Sequence, residues 1–269
     1  MSALEQKNAI HTLVQITDSH LFGDPAESLL GLPTSESLKA VVELVVQEQP
    51  EVDLVLATGD ISQDASISSY HNFAELVAPV AAPMRWLPGN HDDPEIQQKA
   101  AIGQDWSQTV LDLPGWRIIM LDSSVPGAVH GYLGTDQFEL LEQALASAAE
   151  AHVMVCLHHH PVSVASDWLD SIGLRNGDEF FAVLDRYPSV RCVLWGHIHQ
   201  ELDRLRNGVR LLASPSTCIQ FAPESKSFTL DSRLPGYRWL RLHPDGHIET
   251  AVSRLQQLGY EIDRTGSGY

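Results

Sequence analysis

The 269-residue chain has only three cysteines, Cys156, Cys192 and Cys218. An odd count without paired spacing excludes a disulfide scaffold. Cys156 and Cys192 sit in apolar runs and read as buried free thiols. Positive charge is also scarce. There are 17 Lys+Arg against 35 Asp+Glu, for a formal net charge of −18, and no basic run. Such a surface repels nucleic-acid backbones and anionic membranes, so neither is an expected partner. No apolar run approaches the ~20 residues of a membrane helix. The start, MSALEQKNAIHT, lacks the apolar stretch of a secretory signal. The expected location is cytoplasmic. There is no repeat, linker or low-complexity stretch beyond the Gly/Ser end at 265–269. The composition, 43% apolar and 19% charged, is that of a globular protein and not of a disordered or fibrous one. A chain this long can bury a large core unaided, so a metal site in it would be functional rather than structural.

Short β-rich runs alternate with helix-period segments. The pattern predicts strands over 12–16, 53–57, 84–87, 117–121, 153–157, 191–195 and 209–213. Leu38, Val41, Val42 and Val45 recur at helical spacing behind a Thr34/Ser35 cap. Tyr70, Phe73 and Val77 repeat the pattern. Phe138, Leu141 and Leu145 do so after Thr135, and Phe180, Leu184 and Tyr187 after Asp178. This alternation implies an α/β layered fold with largely parallel pairing. The stretch 237–242, a Pro244-Asp245-Gly246 turn and 247–252 read as an antiparallel hairpin. The simplest organisation is one domain over 1–269, with a motif-bearing core at 12–215 and a C-terminal hairpin at 237–252.

Five polar clusters follow five of these strands: Asp18-Ser19-His20, Gly59-Asp60, Gly89-Asn90-His91-Asp92, His158-His159-His160-Pro161 and Gly196-His197-Ile198-His199. The C-terminal edge of an open α/β sheet is where ligands bind, so the five can converge. Asp18/His20 and His197/His199 are i, i+2 pairs, which in extended backbone project to one side. Glycines at 59, 89 and 196 let the chain turn beside a ligand where a Cβ would obstruct it. Carboxylates, imidazoles and one amide, with no thiolate, suit Mn, Fe, Co or Zn better than Ca or Mg. Seven such ligands are too many for one ion and suit two that share a carboxylate, a recurrent device for phosphoester hydrolysis. Two divalent cations outweigh the charge of Asp18, Asp60 and a bridging hydroxide, which makes the site attractive to phosphate inside an anionic protein.

These five blocks, in this order across 18–199, resemble the calcineurin-like metallophosphoesterase family. A narrower resemblance is to its class III cyclic nucleotide phosphodiesterases, the bacterial branch that hydrolyses cyclic AMP. Gly59-Asp60-Ile61-Ser62-Gln63-Asp64 carries it, with the triple histidine and Pro161, and Trp168-Leu169-Asp170 followed by Gly173-Leu174-Arg175-Asn176. The resemblance implies a four-layer αββα sandwich of two central mixed sheets flanked by helices. It implies two divalent or trivalent transition-metal ions per chain, iron or manganese, with zinc or cobalt as alternatives. One ion would take Asp18, His20, Asp60 and His199, and the other Asp60, Asn90, His158 and His197. A shift by one residue would move the His158 role to His159. His91 would face the phosphate, not the metals. His91 and Asn90 are the catalytic candidates, and His20, Asp60, Asn90, His91 and His199 the substrate contacts. The implied reaction is hydrolysis of 3′,5′-cyclic AMP to 5′-AMP by a metal-bridging hydroxide, with His91 protonating the ribose 3′ oxygen.

Other residues carry weaker readings. Asp64 could orient a histidine or start the next helix. Trp168 and Asn176 could form a lid over the base, or be packing residues. His159 and His160 could support ligands or be mere neighbours. His11, His71, His130, His152, His243 and His247 read as surface or satisfied core, and Asp122-Ser123 as a polar strand exit. The metal pair, the base-reading residues and the oligomeric state stay open; the hairpin could be an interface or close a sheet. A different phosphoesterase on the same centre, acting on another diester, a nucleotide or a phosphoprotein, is the first alternative, because fold and metals do not fix the substrate. A non-catalytic interaction protein is the second, opposed by the presence of every ligand type.

Overall fold

The computed structural model describes residues 9–265. Strands β1 (His11–Ile16), β4 (Leu54–Thr58), β5 (Met84–Leu87), β12 (Gly236–Leu242) and β13 (Ile248–Arg254) form one sheet, in the order β13-β12-β1-β4-β5. Strands β6 (Val110–Leu113), β7 (Trp116–Met120), β8 (His152–Cys156), β9 (Val190–Trp195), β10 (Leu202–Arg206) and β11 (Val209–Ala213) form the second, in the order β10-β11-β9-β8-β7-β6. A two-stranded ribbon, β2 (Ser28–Leu29) and β3 (Leu32–Pro33), precedes the first helix. The helices are α1 (Thr34–Glu48), α2 (Ile67–Val77), α3 (Pro94–Ala100), α4 (Thr135–Ala146), α5 (Asp167–Asp170) and α6 (Gly177–Leu184).

The layers follow from strand alternation, which sends successive side chains to opposite faces. Along β1, Leu13 faces the second sheet while Val14 and Ile16 face α1 and α2. Along β8, Met154 and Cys156 face the first sheet while Val153 and Val155 face the other helices. Three apolar layers result. One lies between the sheets, and one lies between each sheet and its helices, which makes the αββα sandwich. Each fully buried Leu, Val or Ile contributes roughly 1.5–3 kcal/mol. Helix α1 buries Leu38, Val41, Val42 and Val45, as its spacing predicts.

Four expectations need correction. Pairing is not largely parallel throughout: β1-β4-β5 and β11-β9-β8-β7 are parallel, but β12, β13, β10 and β6 pair antiparallel at the edges. Helix α1 has no side-chain cap; Pro33 precedes it, and the Thr34 and Ser35 hydroxyls are buried without partners. Helix α6 ends at Leu184, before Tyr187. Strands β6 and β10 were not foreseen, because one is only half-buried and the other mostly exposed. The C-terminal hairpin is present, and β12 pairs with β1, extending the first sheet. Among the described residues no helix is long and apolar enough to cross a membrane.

Candidate metal centre

All five polar clusters leave the C-terminal ends of parallel strands, β1, β4, β5, β8 and β9, and the two sheets bring those ends together. The backbone there is not extended. Asp18 (φ 54°), His20 (φ 48°), Asp60 (φ 47°), His197 (φ 65°) and His199 (φ 49°) are all left-handed. The i, i+2 pairs therefore converge through curled backbone, not through strand alternation. Left-handed non-glycine residues cost about 1–3 kcal/mol each and gather where a site over-determines them. The chain also packs closely here: a Cβ on Gly89 would lie 2.2 Å from Asp60 Oδ1.

Each of the four central imidazoles is pinned by its outer nitrogen. His20 Nδ1 donates to Gln63 Oε1 at 2.7 Å, and His199 Nδ1 to the Ile219 carbonyl at 2.8 Å. His158 Nδ1 donates to the Thr58 carbonyl at 2.8 Å, and His197 Nε2 to the Ile172 carbonyl at 3.1 Å. Oxygen acceptors at the outer nitrogens fix these tautomers and leave lone pairs on the inner ones. The inner nitrogens face one another: His20 Nε2 and His199 Nε2 at 3.3 Å, His158 Nε2 and His197 Nδ1 at 3.2 Å. Asp18 Oδ1 lies 3.3 Å from His199 Nε2, and Asn90 Oδ1 lies 3.3 Å from His158 Nε2. Asp60 Oδ2 reaches both groups, 3.3 Å from His158 Nε2 and 3.8 Å from His20 Nε2. Lone pairs aimed at lone pairs repel unless a cation lies among them. The donor set thus fits metal ions, and its carboxylate, imidazole and amide oxygen chemistry fits transition metals. The carbonyl and amide partners are the outer hydrogen bonds that metal-binding histidines need.

The charges agree. Burial pushes the Asp60 carboxyl up, but His158, His91 and His20 more than reverse this and hold it well below the usual range. Burial likewise raises Asp18, and His199 brings it below its ordinary value. Burial lowers His158, yet Asp60 and Asp18 carry it up to about 9: without another cation these carboxylates draw a proton onto Nε2, in the place where a metal ion would take the lone pair. Burial takes His20 down to about 3 and His197 well below its ordinary value, which keeps both imidazoles neutral and able to ligate.

Neighbouring residues sort themselves by their contacts. The His91 ring sits edge-on to His20 at 4.9 Å between centroids, and its main-chain N–H donates to Asp60 Oδ1 at 2.9 Å. Of the triple histidine, His158 turns its nitrogen into the cluster. His159 bonds Ser123 Oγ at 2.8 Å and the Val129 carbonyl at 3.1 Å. His160 stacks on His197 at 5.6 Å. Asp64 orients no histidine: it accepts from the Gly23 and Ser66 N–H groups and the Ser62 hydroxyl, tying a loop ahead of α2. Asn176 is buried and bonds both main-chain groups of Leu133, as a packing residue does. Trp168 packs edge-on against Phe221 and Phe228 and bonds Ser225 Oγ. Asp122 accepts from Ser124 N–H and hydroxyl as a strand exit.

Sequence reasoning missed the supporting groups. Gln63 stands in the sequence only as one residue of a motif, with no role of its own. The buried stretch from Ser214 to Phe221 had no reading at all, yet its Ile219 carbonyl holds His199, its Phe221 ring stacks on His199 at 4.1 Å, and its Ser216 hydroxyl donates to the Asp18 carbonyl at 2.6 Å. A polar, small-residue run following a strand predicted to end at the same sheet edge was the available signal. Beside the cluster, a cavity of about 590 Å³ is lined by Asn90, Asp93, Glu95, Ser124 and Pro126 among others.

The family model described as calcineurin-like phosphoesterase matches residues 11–201. A Pseudomonas aeruginosa protein named 3′,5′-cyclic adenosine monophosphate phosphodiesterase CpdA is 56% identical over 96% of this chain and 94% of its own length. The Escherichia coli K12 protein of the same name is 47% identical, over 96% of this chain and 94% of its own. Among solved structures, a dimetal phosphatase from Danio rerio superposes with a TM-score of 0.61 at 18% identity, over 91% of this chain and 98% of that one. The last likeness is one of fold.

Proposed function

The chain belongs to the calcineurin-like phosphoesterase family, and on that premise we propose that it hydrolyses 3′,5′-cyclic AMP to 5′-AMP at a pair of metal ions, lowering that second messenger in the cytoplasm. The observation that carries the substrate is near full-length identity, 56% and 47%, to two proteins named for that reaction. Asp18, His20, Asp60 and His199 would hold one ion. Asp60, Asn90, His158 and His197 would hold the other. The inward lone pairs described above support both sets. Iron or manganese suits them, and zinc or cobalt would also be accepted. When bound, such ions bring the pKa of water near neutrality and neutralise charge on phosphate oxygens.

The chain's own residues supply the rest. Asp60 would be shared by the two ions through Oδ2, which faces both His158 and His20, and the His91 N–H fixes its Oδ1. Asn90, half-exposed, stands between the donor cluster and the cavity. The phosphate would meet His20, Asp60, Asn90 and His199, and the nucleoside would extend into the cavity. The His91 ring, at the half-exposed rim, would give a proton to the ribose 3′ oxygen as the P–O3′ bond breaks, while the attacking water gives up one proton to solvent and keeps the other on the new P–OH.

The test is a product assay on metal-reconstituted protein, with 3′,5′-cyclic AMP and bis(p-nitrophenyl) phosphate side by side and Asn90→Ala as control. Release of 5′-AMP, lost in the control, is expected. Turnover of the generic diester alone would overturn the cyclic AMP assignment and leave a phosphoesterase of other specificity.

A further inference from the structure

Beneath the donor cluster, the layer between the two sheets is mostly apolar, and two of its buried polar side chains, Gln15 and Arg238, are neighbours across β1 and β12. Gln15 lies on β1 two residues after Leu13, so alternation sends it into that layer, where it is fully buried. Its amide joins the sheets. Nε2 donates to the Trp195 carbonyl at the end of β9 (2.9 Å) and to the Thr58 hydroxyl at the end of β4 (2.7 Å). Oε1 accepts from the Ser214 hydroxyl just past β11.

The direction of this chain is forced. An amide nitrogen only donates, so the Thr58 hydroxyl accepts from Gln15 and must pass its own single proton onward. It donates to Thr17 Oγ1 at 2.8 Å. Thr17 is now an acceptor as well, and its proton goes to Asp18 Oδ2 at 2.7 Å. A carboxylate can only accept, so the chain ends there. Thr17 and Thr58 are, like Gln15, essentially inaccessible to solvent. Gly196 leaves room for it: a Cβ there would lie 2.3 Å from Thr17 Oγ1 and 2.6 Å from Asp18 Oδ2. The His197 N–H completes the clamp on Asp18, 2.9 Å from Oδ1 and 3.2 Å from Oδ2. With Oδ2 tied from behind, Oδ1 is the oxygen turned toward His199 Nε2.

We propose that the Gln15–Thr58–Thr17 relay is a positioning device that locks Asp18 in the rotamer that receives a metal ion, coupling the ion to the junction of the two sheets. The inference rests on the metal-centre reading above, in that Asp18 is taken as a ligand. Each bond polarises the next, so the relay acts as a unit and is broken by removing any one hydroxyl. It predicts which ion is affected. Asp18 turns Oδ1 to His199 at 3.3 Å and also stands near Asp60 and His158, so damage to the relay weakens the ion of the Asp18–His20–His199 group more than the one held by Asn90, His158 and His197.

The test is Mn(II) titration of metal-free protein by calorimetry, with metal counted by mass spectrometry and the coupled-pair signal followed by electron paramagnetic resonance. Thr17→Val keeps shape and deletes the donor. It is expected to weaken one of two binding constants by about 10–100-fold, as losing an outer partner of a ligand does, and to convert the coupled signal to that of isolated Mn(II). Thr17→Ser restores the hydroxyl and should restore both. Thr58→Val breaks the chain one link back and should weaken the same constant by a smaller factor; it also serves if Thr17→Val does not fold. Unchanged constants in the folded valine variants, or equal loss in Thr17→Val and Thr17→Ser, would overturn the relay. Wild-type protein that takes up no metal would overturn the relay and the metal-centre reading together. Wild-type protein that takes up one ion, weakened by Thr17→Val, would overturn only the pairing of ions.

Discussion

The Asp18–His20–His199 half of the donor cluster and the Asn90–His158–His197 half use similar groups but are anchored differently. In the first half all three residues are left-handed and fully buried; in the second only His197 is left-handed, and Asn90 is half-exposed. Side chains hold two residues of the first half, Gln63 fixing His20 and Thr17 fixing Asp18, while the Ile219 carbonyl and the Phe221 ring hold His199. Main-chain carbonyls of Thr58 and Ile172 hold the histidines of the second. A carbonyl cannot be removed by substitution, whereas an amide or hydroxyl can. The first half should therefore be tunable one residue at a time, and the second should fail only when its own ligands change. The second half also borders the cavity, which suits the side where substrate enters.

Asp60 belongs to both halves, so Asp60→Asn should erase the difference. Losing a shared carboxylate forfeits several kcal/mol of charge stabilisation, or about 10³-fold in activity. Both ions should fall away together. Retention of one at wild-type affinity would show that Asp60 serves a single half. His91 stands close to His20 and Asp60, but in the reading proposed above it is the proton donor and not a ligand. His91→Ala should lower kcat by at least ~10²-fold, the scale of general acid catalysis, with both ions still bound. Loss of metal in that variant would make His91 a ligand and break the division.

Gln63→Leu sharpens the comparison at a smaller scale. It frees His20 Nδ1 without touching a ligand, so the affinity of the first-half ion should fall by ~10-fold or somewhat more. The second constant should not move. Equal loss in both, read by the same titration, would mean that the halves are not separately anchored.

How much of this was legible in the sequence differs between the halves in the same way. The ligand types and their seats at strand ends follow from hydrophobic runs that stop at Asp, His and Asn, and the strands that carry them lie within a residue or two of expectation. The anchoring is invisible for two physical reasons. Left-handed backbone at Asp18, His20 or His199 has no local signal, because neither residue type requires it and the surrounding packing imposes it. The partners are also remote. The Ser216 hydroxyl and the Asp18 carbonyl it serves are 198 positions apart, and Ser214 and Gln15 are 199 apart. Gln15 itself looks like an error in an apolar strand until the second sheet is laid across it. Asp64 is the converse case, with two readings open in the sequence. Its proximity to Asp60 in sequence suggested a role at the metals, but the nearer histidine partner is Gln63, one residue away, and Asp64 turns to the loop at Gly23.

The smallest effect is expected at Asp122, which leaves a strand at the same sheet edge yet belongs to neither half. Burial raises its carboxyl above the ordinary range, although Ser124 opposes this. A carboxyl whose pKa is higher in the folded state stabilises the fold at low pH, and that contribution is lost as pH rises through the carboxylate range. Asp122→Asn keeps the oxygen that accepts from Ser124 and removes the titration. The variant should match wild type to within ~0.5 kcal/mol, the span of substitutions away from a cluster. Any advantage should appear at neutral pH and vanish or reverse in acid. Both metal constants should be unchanged. Denaturant melts at pH 4 and pH 7.5, with a Mn(II) titration, decide it. A lost ion would bring this exit into the donor cluster, and the division into two halves would then need a third member.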